Sequence, residues 1–457
     1  MKNVLAFDLG ASSGRAVIGS FDGKKITLTE VHRFKNDPVE LGGTLYWDVL
    51  RLWYEICEGL VKAKPYGYDC IGIDTWGVDF GLFDRKGRLL GNPVHYRDRR
   101  YEGMVAASEK YISNDELYGV TGIQFMDFNT VFQLIATAEK EPELLERADR
   151  LLLMPDMLNY FLTGEMTAEY TMASTTQLLD ARTRRWSADV LSKMPFGSSL
   201  LPDIIDPGTR VGTVTAELSE LLGIPRVPVY AVCGHDTASA MVAVPAKEKD
   251  FAFLSCGTWS LLGTELDDPV INADTRSLNM TNEGGYGGCI SFLKNIIGLW
   301  LIQESRRQWK REGTEYSFAE LEKLALAAPS GRCLIDPDDP VFVPQGDIPG
   351  RIREYCRSSG QPVPEDVGAV MRCIYESIAG KYASTVKKLE KCTGKTYDTL
   401  HVIGGGVKDG LLLKMTAETT GMNVVPGPTE ATALGNVAVQ LIAEGELKDI
   451  AQARSVI

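Results

Sequence analysis

Residues 230–244 read YAVCGHDTASAMVAV, and the interpretation of the whole chain depends on this stretch. The apolar run at 227–232 predicts a buried strand that Gly234 breaks, and Asp236 and Thr237 begin a short helix rich in Ala and Val. A carboxylate at a helix start meets free backbone N–H groups and the positive end of the helix dipole. Asp236 is therefore either an ordinary N-cap or a catalytic carboxylate.

Three features of the same stretch favour catalysis. His235 directly precedes Asp236, and the small residues at 238–240 leave room beside the carboxylate. The stretch also lies near the middle of a chain of 457 residues, where two halves would leave a cleft between them. The remaining motifs must decide between the two alternatives.

Composition limits the class of protein. A length of 457 residues predicts two large domains. The 48 basic and 61 acidic residues give a net charge of −13, which argues against nucleic acid or an anionic membrane surface as a partner. No apolar run reaches the roughly 18 residues of a membrane span, and the start MKNVLAFDLG has no signal-peptide pattern. We expect a cytoplasmic protein, either a monomer or a small homo-oligomer.

The cysteines indicate neither a zinc site nor a disulfide framework, because the nine of them are scattered and none forms a CxxC pair. This usage is typical of a reducing cytosol. Cys356 and Cys373 flank one turn between two helical segments and could lie near each other. A bridge between them is not expected in a cytosolic protein, and their pairing is left open.

The periodicity of the chain predicts an α/β protein. In the first half we expect strands at 4–9, 16–21, 26–34, 70–74, 78–83 and 151–154. We expect helices at 47–64 and over most of 99–150, where residues 122–129 form an irregular insert, and a further helix that ends at Gly164. Residues 177–226 are expected to form small helices and loops. In the second half we expect strands at 251–255, 260–263, 401–403 and 423–425, and helices at 298–312, 318–328, 366–391, 410–420 and 430–444. The charged segment PAKEKD at 245–250 predicts a linker between domains 1–244 and 245–457.

Three glycine-containing turns follow predicted strands. The first, DLGASSGR at 8–15, offers bare backbone, two hydroxyls and a cation to a phosphate, although it matches neither the Walker nor the Rossmann spacing. SCGTWS at 255–260 and GGG at 404–406 have the same character. Each turn alone is common in large α/β proteins. Their occurrence in this order around Asp236 favours a phosphate-containing ligand.

In this order, the motifs resemble those of the FGGY carbohydrate kinases, a branch of the actin/hexokinase superfamily. The resemblance covers essentially the whole chain. The segments that carry it are DLGASSGR (8–15), IDTWGVDF (73–80), NPVHYRD (92–98), GIQFMDFNT (122–130), LMPD (153–156), GHDTASA (234–240), LSCGTWSLLG (254–263), TNEGG (281–285), LKNIIGLWLIQE (293–304) and HVIGGG (401–406).

The resemblance implies two RNase H-like α/β domains with an interdomain cleft for ATP and a ketose. The N-terminal domain, 1–244, would hold the sugar, the first phosphate loop and the catalytic Asp, and the C-terminal domain, 245–457, would hold the nucleotide. The residues implied for ATP are Ala11, Ser12, Ser13, Gly14, Arg15, Thr258, Gln303 and Gly405. Those implied for the sugar are Gly77, His235, Asp236, Thr237 and Asn295.

The implied reaction is ATP-dependent phosphorylation of a ketose or polyol, with Asp236 as proton acceptor and Asp8 as the carboxylate near Mg²⁺. Because Asp236 begins a helix, we expect it to keep a low pKa. A non-catalytic, ATP-switched binding protein on the same fold is the alternative. It is disfavoured because such a protein has no need of Asp236 beside His235 and Asn295.

Four further residues and the chain end have no firm functional assignment. Trp76 is either one wall of the sugar pocket or a core indole, while His32, His95 and His401 match no role and are interpreted as structural. The chain ends soon after its last predicted helix, where members of the family carry longer tails.

Overall fold

A computed structural model describes residues 1–248 and 250–457 of the chain. Lys249, in the predicted linker 245–250, lies outside the described residues. The strands, β1 to β20 in chain order, are Lys2–Leu9, Ser13–Phe21, Ile26–Lys35, Val39–Leu41, Thr44–Tyr46, Ile71–Thr75, Phe80–Phe83, Arg150–Leu153, Ala168–Glu169, Leu179–Asp180, Arg185–Trp186, Ile204–Ile205, Arg210–Thr213, Pro228–Tyr230, Ala252–Cys256, Trp259–Leu266, Thr281–Gly284, Ile290–Ile297, Thr399–Ile403 and Asn423–Pro426.

The helices of the described residues are numbered in the same way. From α1 to α18 they are Val49–Ala63, Met104–Ala107, Asn114–Thr121, Thr130–Lys140, Pro142–Arg147, Met154–Thr163, Tyr170–Thr175, Ala188–Lys193, Ala216–Leu222, Asp236–Val242, Ala273–Ser277, Trp300–Arg311, Phe318–Ala327, Ile348–Ser358, Val367–Thr393, Gly410–Thr420, Ala431–Ala443 and Ile450–Val456. None of these helices combines the length and apolar character that a bilayer crossing needs.

The described residues form two compact units. The first comprises residues 1–247, 265–292 and 430–457, and the second comprises residues 248, 250–264 and 293–429. The first unit is therefore discontinuous, since two later segments pack with the N-terminal half. The division of the chain into a sugar-binding domain, 1–244, and a nucleotide-binding domain, 245–457, stays a prediction.

The first unit is built on a six-stranded sheet in the order β13-β14-β6-β1-β2-β3. β1 and β2 form an antiparallel hairpin, and β1 pairs in parallel with β6, which aligns Asp8 with Asp74. Helices cover both faces: Gly59 of α1 lies against Phe7, while Gly72 on the opposite face lies against Asn436 of α17. A sheet buried on both sides explains the continuous apolar run of β1.

In the second unit, the neighbouring strands β18-β16-β15-β19-β20 of the other six-stranded sheet repeat the hairpin and the parallel pairs of the first. β15 and β16 form an antiparallel hairpin, and β15, β19 and β20 run parallel. The long helix α15 packs against α13 and α16. It begins at an N-cap, Asp366, which accepts a hydrogen bond from Ala369 N over 2.8 Å, and it ends at Gly394 with φ +67°.

The predicted fold class is confirmed, and most predicted elements lie within two or three residues of the observed ones. The sequence pattern did not predict the helices α7, α11, α14 and α18 or the strands β4, β5, β9, β17 and β18. The short strands β10 to β13 lie in the segment 177–226, which was assigned to helices and loops. The predicted strand at 16–21 begins earlier, at Ser13, so the hairpin turn is only residues 10–12. Hence part of the first glycine turn belongs to β2.

Candidate active site

Asp236 is the first residue of α10, and the N-cap position belongs to His235, whose side chain makes no capping bond. The N-cap interpretation of Asp236 is therefore wrong. The Thr237 hydroxyl donates to Asp236 Oδ1 over 3.2 Å, and the carboxylate is half-buried.

The expectation of a low pKa for Asp236 is also wrong. Desolvation of the carboxylate, followed by the negative charge of Asp8, raises the pKa of Asp236 to about 7. The backbone N–H and hydroxyl of Thr237 oppose this shift without overcoming it. The helix start is a local effect, whereas burial and Asp8 come from the tertiary structure. A carboxyl group with a pKa near neutrality is suited to accept a proton at physiological pH.

A buried glutamate that the sequence analysis missed holds the turn before α10. Glu169 Oε2 accepts hydrogen bonds from Gly234 N over 3.0 Å and from the Thr171 hydroxyl over 2.5 Å. Thr171 Oγ1 in turn accepts from His235 N over 3.2 Å. Burial raises the pKa of Glu169 to about 7. The link to the turn before α10 leaves no local signal, because Gly234 lies 65 residues after Glu169.

His235 lies between two carboxylates. Its Nε2 is 3.5 Å from Asp236 Oδ1, and its Nδ1 is 3.5 Å from Oε2 of Glu283 in the TNEGG segment. Burial lowers the pKa of His235, and the charge of Glu283 opposes that shift. A side chain at Gly77 would place its Cβ 3.3 Å from His235 Nε2, so the structure brings Gly77, His235, Asp236 and Thr237 together.

The first glycine turn is an ordered structure. Gly10 N donates to Ser13 O over 2.9 Å, and Asn36 holds the turn from outside by donating its side-chain amide to Gly10 O over 2.9 Å. A Cβ at Gly14 would come within 2.3 Å of the Phe34 ring. The turn therefore keeps its backbone at Ala11, Ser12 and Ser13 in one conformation.

The Arg15 guanidinium is bound by two carboxylates, those of Asp8 and Glu430. Its Nε and Nη2 donate to Asp8 Oδ2 over 3.0 and 2.6 Å, and its Nη1 also pairs with Glu430. These neighbours raise the pKa of Arg15 against the effect of burial. Asp8 and Arg15, both predicted site residues, thus form one ion pair in the first unit.

Asp74 is a second carboxylate beside Asp8, on the neighbouring parallel strand. Its Oδ2 accepts a hydrogen bond from Asn436 over 2.6 Å, and Gln440 holds Asn436 in turn over 2.7 Å. Oδ1 of Asp74 is buried and has no hydrogen-bond partner among the described residues. Carboxylate oxygens are the ligands that Mg²⁺ prefers, so the residues present at the ends of β1 and β6 fit that ion.

Two predicted nucleotide residues of the second unit, Thr258 and Gly405, lie at its own glycine turns, and the third, Gln303, lies in α12. Thr258, at the β15–β16 turn, donates from Oγ1 to Gln303 Oε1 over 3.2 Å. A Cβ at Gly406 would lie 2.1 Å from Cys256 Sγ, whereas one at Gly405 would meet no atom within 4 Å. The structure thus brings Thr258 and Gln303 together and places Gly405 on an open stretch of backbone.

Asn295 is the remaining predicted sugar residue. It lies on β18 in the second unit and is half-buried.

Trp76 is buried in the core of the first unit, where its ring centroid lies 4.1 Å from that of Trp47. This favours the core alternative over the pocket wall.

The three other histidines have structural partners, as expected. His32 Nε2 lies 2.6 Å from Glu55, His95 stacks on Trp47, and His401 Nε2 lies 3.0 Å from Glu248. Burial lowers the pKa of His95 to about 3.

The two halves of the sequence match the two family models of the FGGY carbohydrate kinases. The N-terminal domain model matches residues 3–243, and the C-terminal domain model matches residues 252–444. The chain is 46% identical to a rhamnulokinase from Bacteroides thetaiotaomicron over 100% of this chain and 94% of the relative. It is 43% identical to a rhamnulokinase from Enterococcus faecalis, over 100% of this chain and 92% of the relative.

Solved structures with the same fold are more distant in sequence. A ligand-bound xylulose kinase from Lactobacillus acidophilus superposes with a TM-score of 0.83 at 17% identity, over 100% of this chain and 92% of that one. A Plasmodium falciparum glycerol kinase with ADP superposes with a TM-score of 0.80 at 16% identity, with the same coverage. At this identity the likeness shows the fold alone.

Proposed function

The chain belongs to the FGGY family of carbohydrate kinases, and on this premise we propose that it transfers the γ-phosphoryl group of ATP to O1 of L-rhamnulose. L-Rhamnulose is proposed as the sugar because relatives named rhamnulokinase are 39 to 46% identical to this chain along its full length. Within the family, the segments IDTWGVDF and GHDTASA favour the same sugar. L-Fuculose and xylulose are the alternative substrates.

The sugar is proposed to contact Gly77, His235, Asp236, Thr237 and Asn295. Gly77 leaves space beside the His235 ring, because the Cβ of any larger residue would lie 3.3 Å from Nε2, closer than an ordinary van der Waals contact. His235 is neutral when its pKa is lowered, and its Nδ1 is buried beside Glu283, so Nε2 is the ring nitrogen that can exchange one hydrogen bond with a sugar hydroxyl. These contacts would fix O1 near Asp236.

Asp236 is the proposed proton acceptor. The sugar O1 attacks the γ-phosphorus in line, a new P–O1 bond forms, and the bond from the γ-phosphorus to the β,γ-bridging oxygen breaks to release ADP. Phosphoryl transfer has a loose transition state, so the hydroxyl becomes acidic as the new bond forms, and its proton passes to Asp236 late. The positioning of O1 therefore contributes more to the rate of phosphoryl transfer than the basicity of the Asp236 carboxylate does.

The nucleotide is proposed to contact Ala11, Ser12, Ser13, Gly14, Arg15, Thr258, Gln303 and Gly405. Backbone N–H groups of the β1–β2 turn would donate to phosphate oxygens, since the turn is already ordered by Asn36. Asp8 is the proposed carboxylate near Mg²⁺, with Asp74 beside it. When bound, Mg²⁺ neutralises charge on the phosphate oxygens. We also place the enzyme in the cytoplasm.

A coupled assay of ADP release tests the proposal. Purified protein with Mg-ATP would be offered L-rhamnulose, L-fuculose, L-xylulose, D-xylulose and glycerol in parallel. We expect kcat/KM for L-rhamnulose to exceed that for each other sugar. A higher kcat/KM for another ketose would refute L-rhamnulose as the substrate, but the protein would still be a sugar kinase. ADP release that does not depend on any sugar would favour the binding-protein alternative.

A further inference from the structure

Three cysteine side chains of the second unit meet in one buried cluster. Cys333 lies in the segment between α13 and α14, Cys356 lies in the last turns of α14, and Cys373 lies near the start of α15. Their Sγ atoms all lie within 4.8 Å of one another. None of the three belongs to the proposed sugar or nucleotide contacts, and all three are free thiols.

The surroundings of this three-cysteine cluster favour uncharged sulfur. Burial, together with the neighbouring thiols, raises the pKa of Cys356 to about 11 and that of Cys373 further. Three thiolates around a monovalent soft cation would bury a net charge of −2, and charge in an apolar interior is costly. Zn²⁺ in a structural site takes four ligands, one more than the cluster supplies.

We propose that the three-cysteine cluster binds a trivalent, three-coordinate thiophile of the arsenite class. Such a centre takes one bond from each sulfur and needs no fourth ligand. Each S–H displaces one hydroxyl of As(OH)₃, so three As–O bonds break, three As–S bonds form, and the thiol protons leave in three molecules of water. Arsenic stays trivalent, and the product carries no net charge inside the protein.

Cys333 is the proposed point of entry. Its residue is 6% exposed, whereas Cys356 is fully buried, and the adjacent Leu334 is half-exposed. The preceding Gly331 has φ +67° and open space around it. Local opening of this segment would expose Cys333 first and bring arsenite to the other two sulfurs when it closes. We therefore expect uptake to be slow compared with a surface thiol pair.

Native mass spectrometry of the intact protein in a thiol-free reductant, titrated with sodium arsenite, tests the proposal. We expect one arsenic atom per chain and, after denaturation, six of the nine cysteines reactive toward a thiol reagent. The thiol count is made on the parent protein, so it does not depend on whether a variant folds. Cys333→Ser should weaken arsenic uptake at least about tenfold, because only two sulfurs remain, while Cys57→Ser, a half-buried cysteine of the first unit, should bind as the parent does.

Three results would overturn the proposal. The first is equal uptake by Cys333→Ser and the parent. The second is a loss of only two reactive thiols, which would indicate an ordinary dithiol adduct. The third is a disulfide within the cluster that persists in the reductant, seen as a mass lower by two hydrogens.

Discussion

Trp76 donates a hydrogen bond from Nε1 to Oδ2 of Asp79 over 3.0 Å, so a buried carboxylate orients the indole next to Gly77. Trp47 Nε1 reaches the same oxygen over 2.5 Å. Oδ1 of Asp79 accepts from Gln133 over 2.8 Å. Both oxygens of Asp79 thus act as acceptors, which a carboxylate provides and an amide does not. Burial raises the pKa of Asp79 to about 7, and these hydrogen bonds oppose that shift by favouring the ionised form. The network links the core of the first unit to the proposed sugar contact.

Asp79→Asn should therefore destabilise the protein. Either orientation of the amide points an N–H₂ group at an indole N–H or at the Gln133 amide, which leaves buried donors unpaired. We expect a loss of about 3 kcal/mol in the free energy of unfolding, in the range for unsatisfied buried groups and lost charged hydrogen bonds. Urea unfolding followed by tryptophan fluorescence would measure it.

The matched control for this substitution is Asp22→Asn. Asp22 lies in an exposed turn, where Oδ1 accepts from the backbone of Lys24 and Lys25, and an asparagine Oδ1 can accept the same bonds. Its urea midpoint should equal that of the parent. If Asp79→Asn also unfolded at the parent midpoint, the indole-orienting role of Asp79 would be wrong.

Asp236→Asn should abolish most turnover with little change in sugar affinity. The amide keeps the size of the side chain and loses the ability to accept a proton, and general-base contributions are typically about 10²- to 10⁴-fold. We expect kcat to fall within that range while KM for the sugar stays within about threefold. Asp189→Asn makes the same change in the first turn of α8, exposed to solvent, and should leave both constants unchanged. Near-normal turnover by Asp236→Asn would remove Asp236 from the role of base.

The pH dependence of kcat/KM should report the raised pKa of Asp236. The pKa of about 7 means that the carboxyl group is mostly protonated below pH 7 and cannot accept the substrate proton. We therefore expect kcat/KM to fall about tenfold per pH unit on the acid side of neutrality and to level off above it. Steady-state rates between about pH 5.5 and 8.5, with the coupling enzymes in excess, would measure this. A flat profile down to about pH 5.5 would show that another group accepts the proton.

The sequence is informative where a motif is local. The strands preceding each glycine turn, the helix after Gly234 and the membership of the family follow from short segments. The N-cap position of His235 and the raised pKa of Asp236 do not follow from a short segment, because that pKa depends on burial and on Asp8 from β1. The helix start was predicted to lower the pKa, and desolvation with Asp8 outweighs it.

Long-range partners account for most of what the sequence did not predict. Glu169 holds the Gly234 turn, and Asn436 holds Asp74 from a helix more than 360 residues away. Neither contact leaves a pattern in the neighbouring sequence. The discontinuous first unit has the same origin, since residues 430–457 carry no local sign that they pack with the N-terminal sheet.

Gly435 provides a stability test of such a long-range contact. It lies in α17, and a Cβ there would come within 1.8 Å of the carbonyl oxygen of Ser239 in α10, the helix that begins with Asp236. Backbone cannot yield as a flexible side chain does, so Gly435→Ala must push the two helices apart. We expect a loss of about 1 to 3 kcal/mol in the free energy of unfolding.

The helical Gly119 in α3 of the same unit is the matched control, because a Cβ there would meet no atom within 4 Å. Gly119→Ala should raise the free energy of unfolding by roughly 0.5 to 1 kcal/mol, since alanine favours the helix over glycine. Only Gly435→Ala should also lower kcat, because a displaced α10 moves the Asp236 carboxylate away from O1 of the sugar. Equal stability of the two variants would mean that α10 and α17 do not pack as closely as the Gly435–Ser239 approach requires.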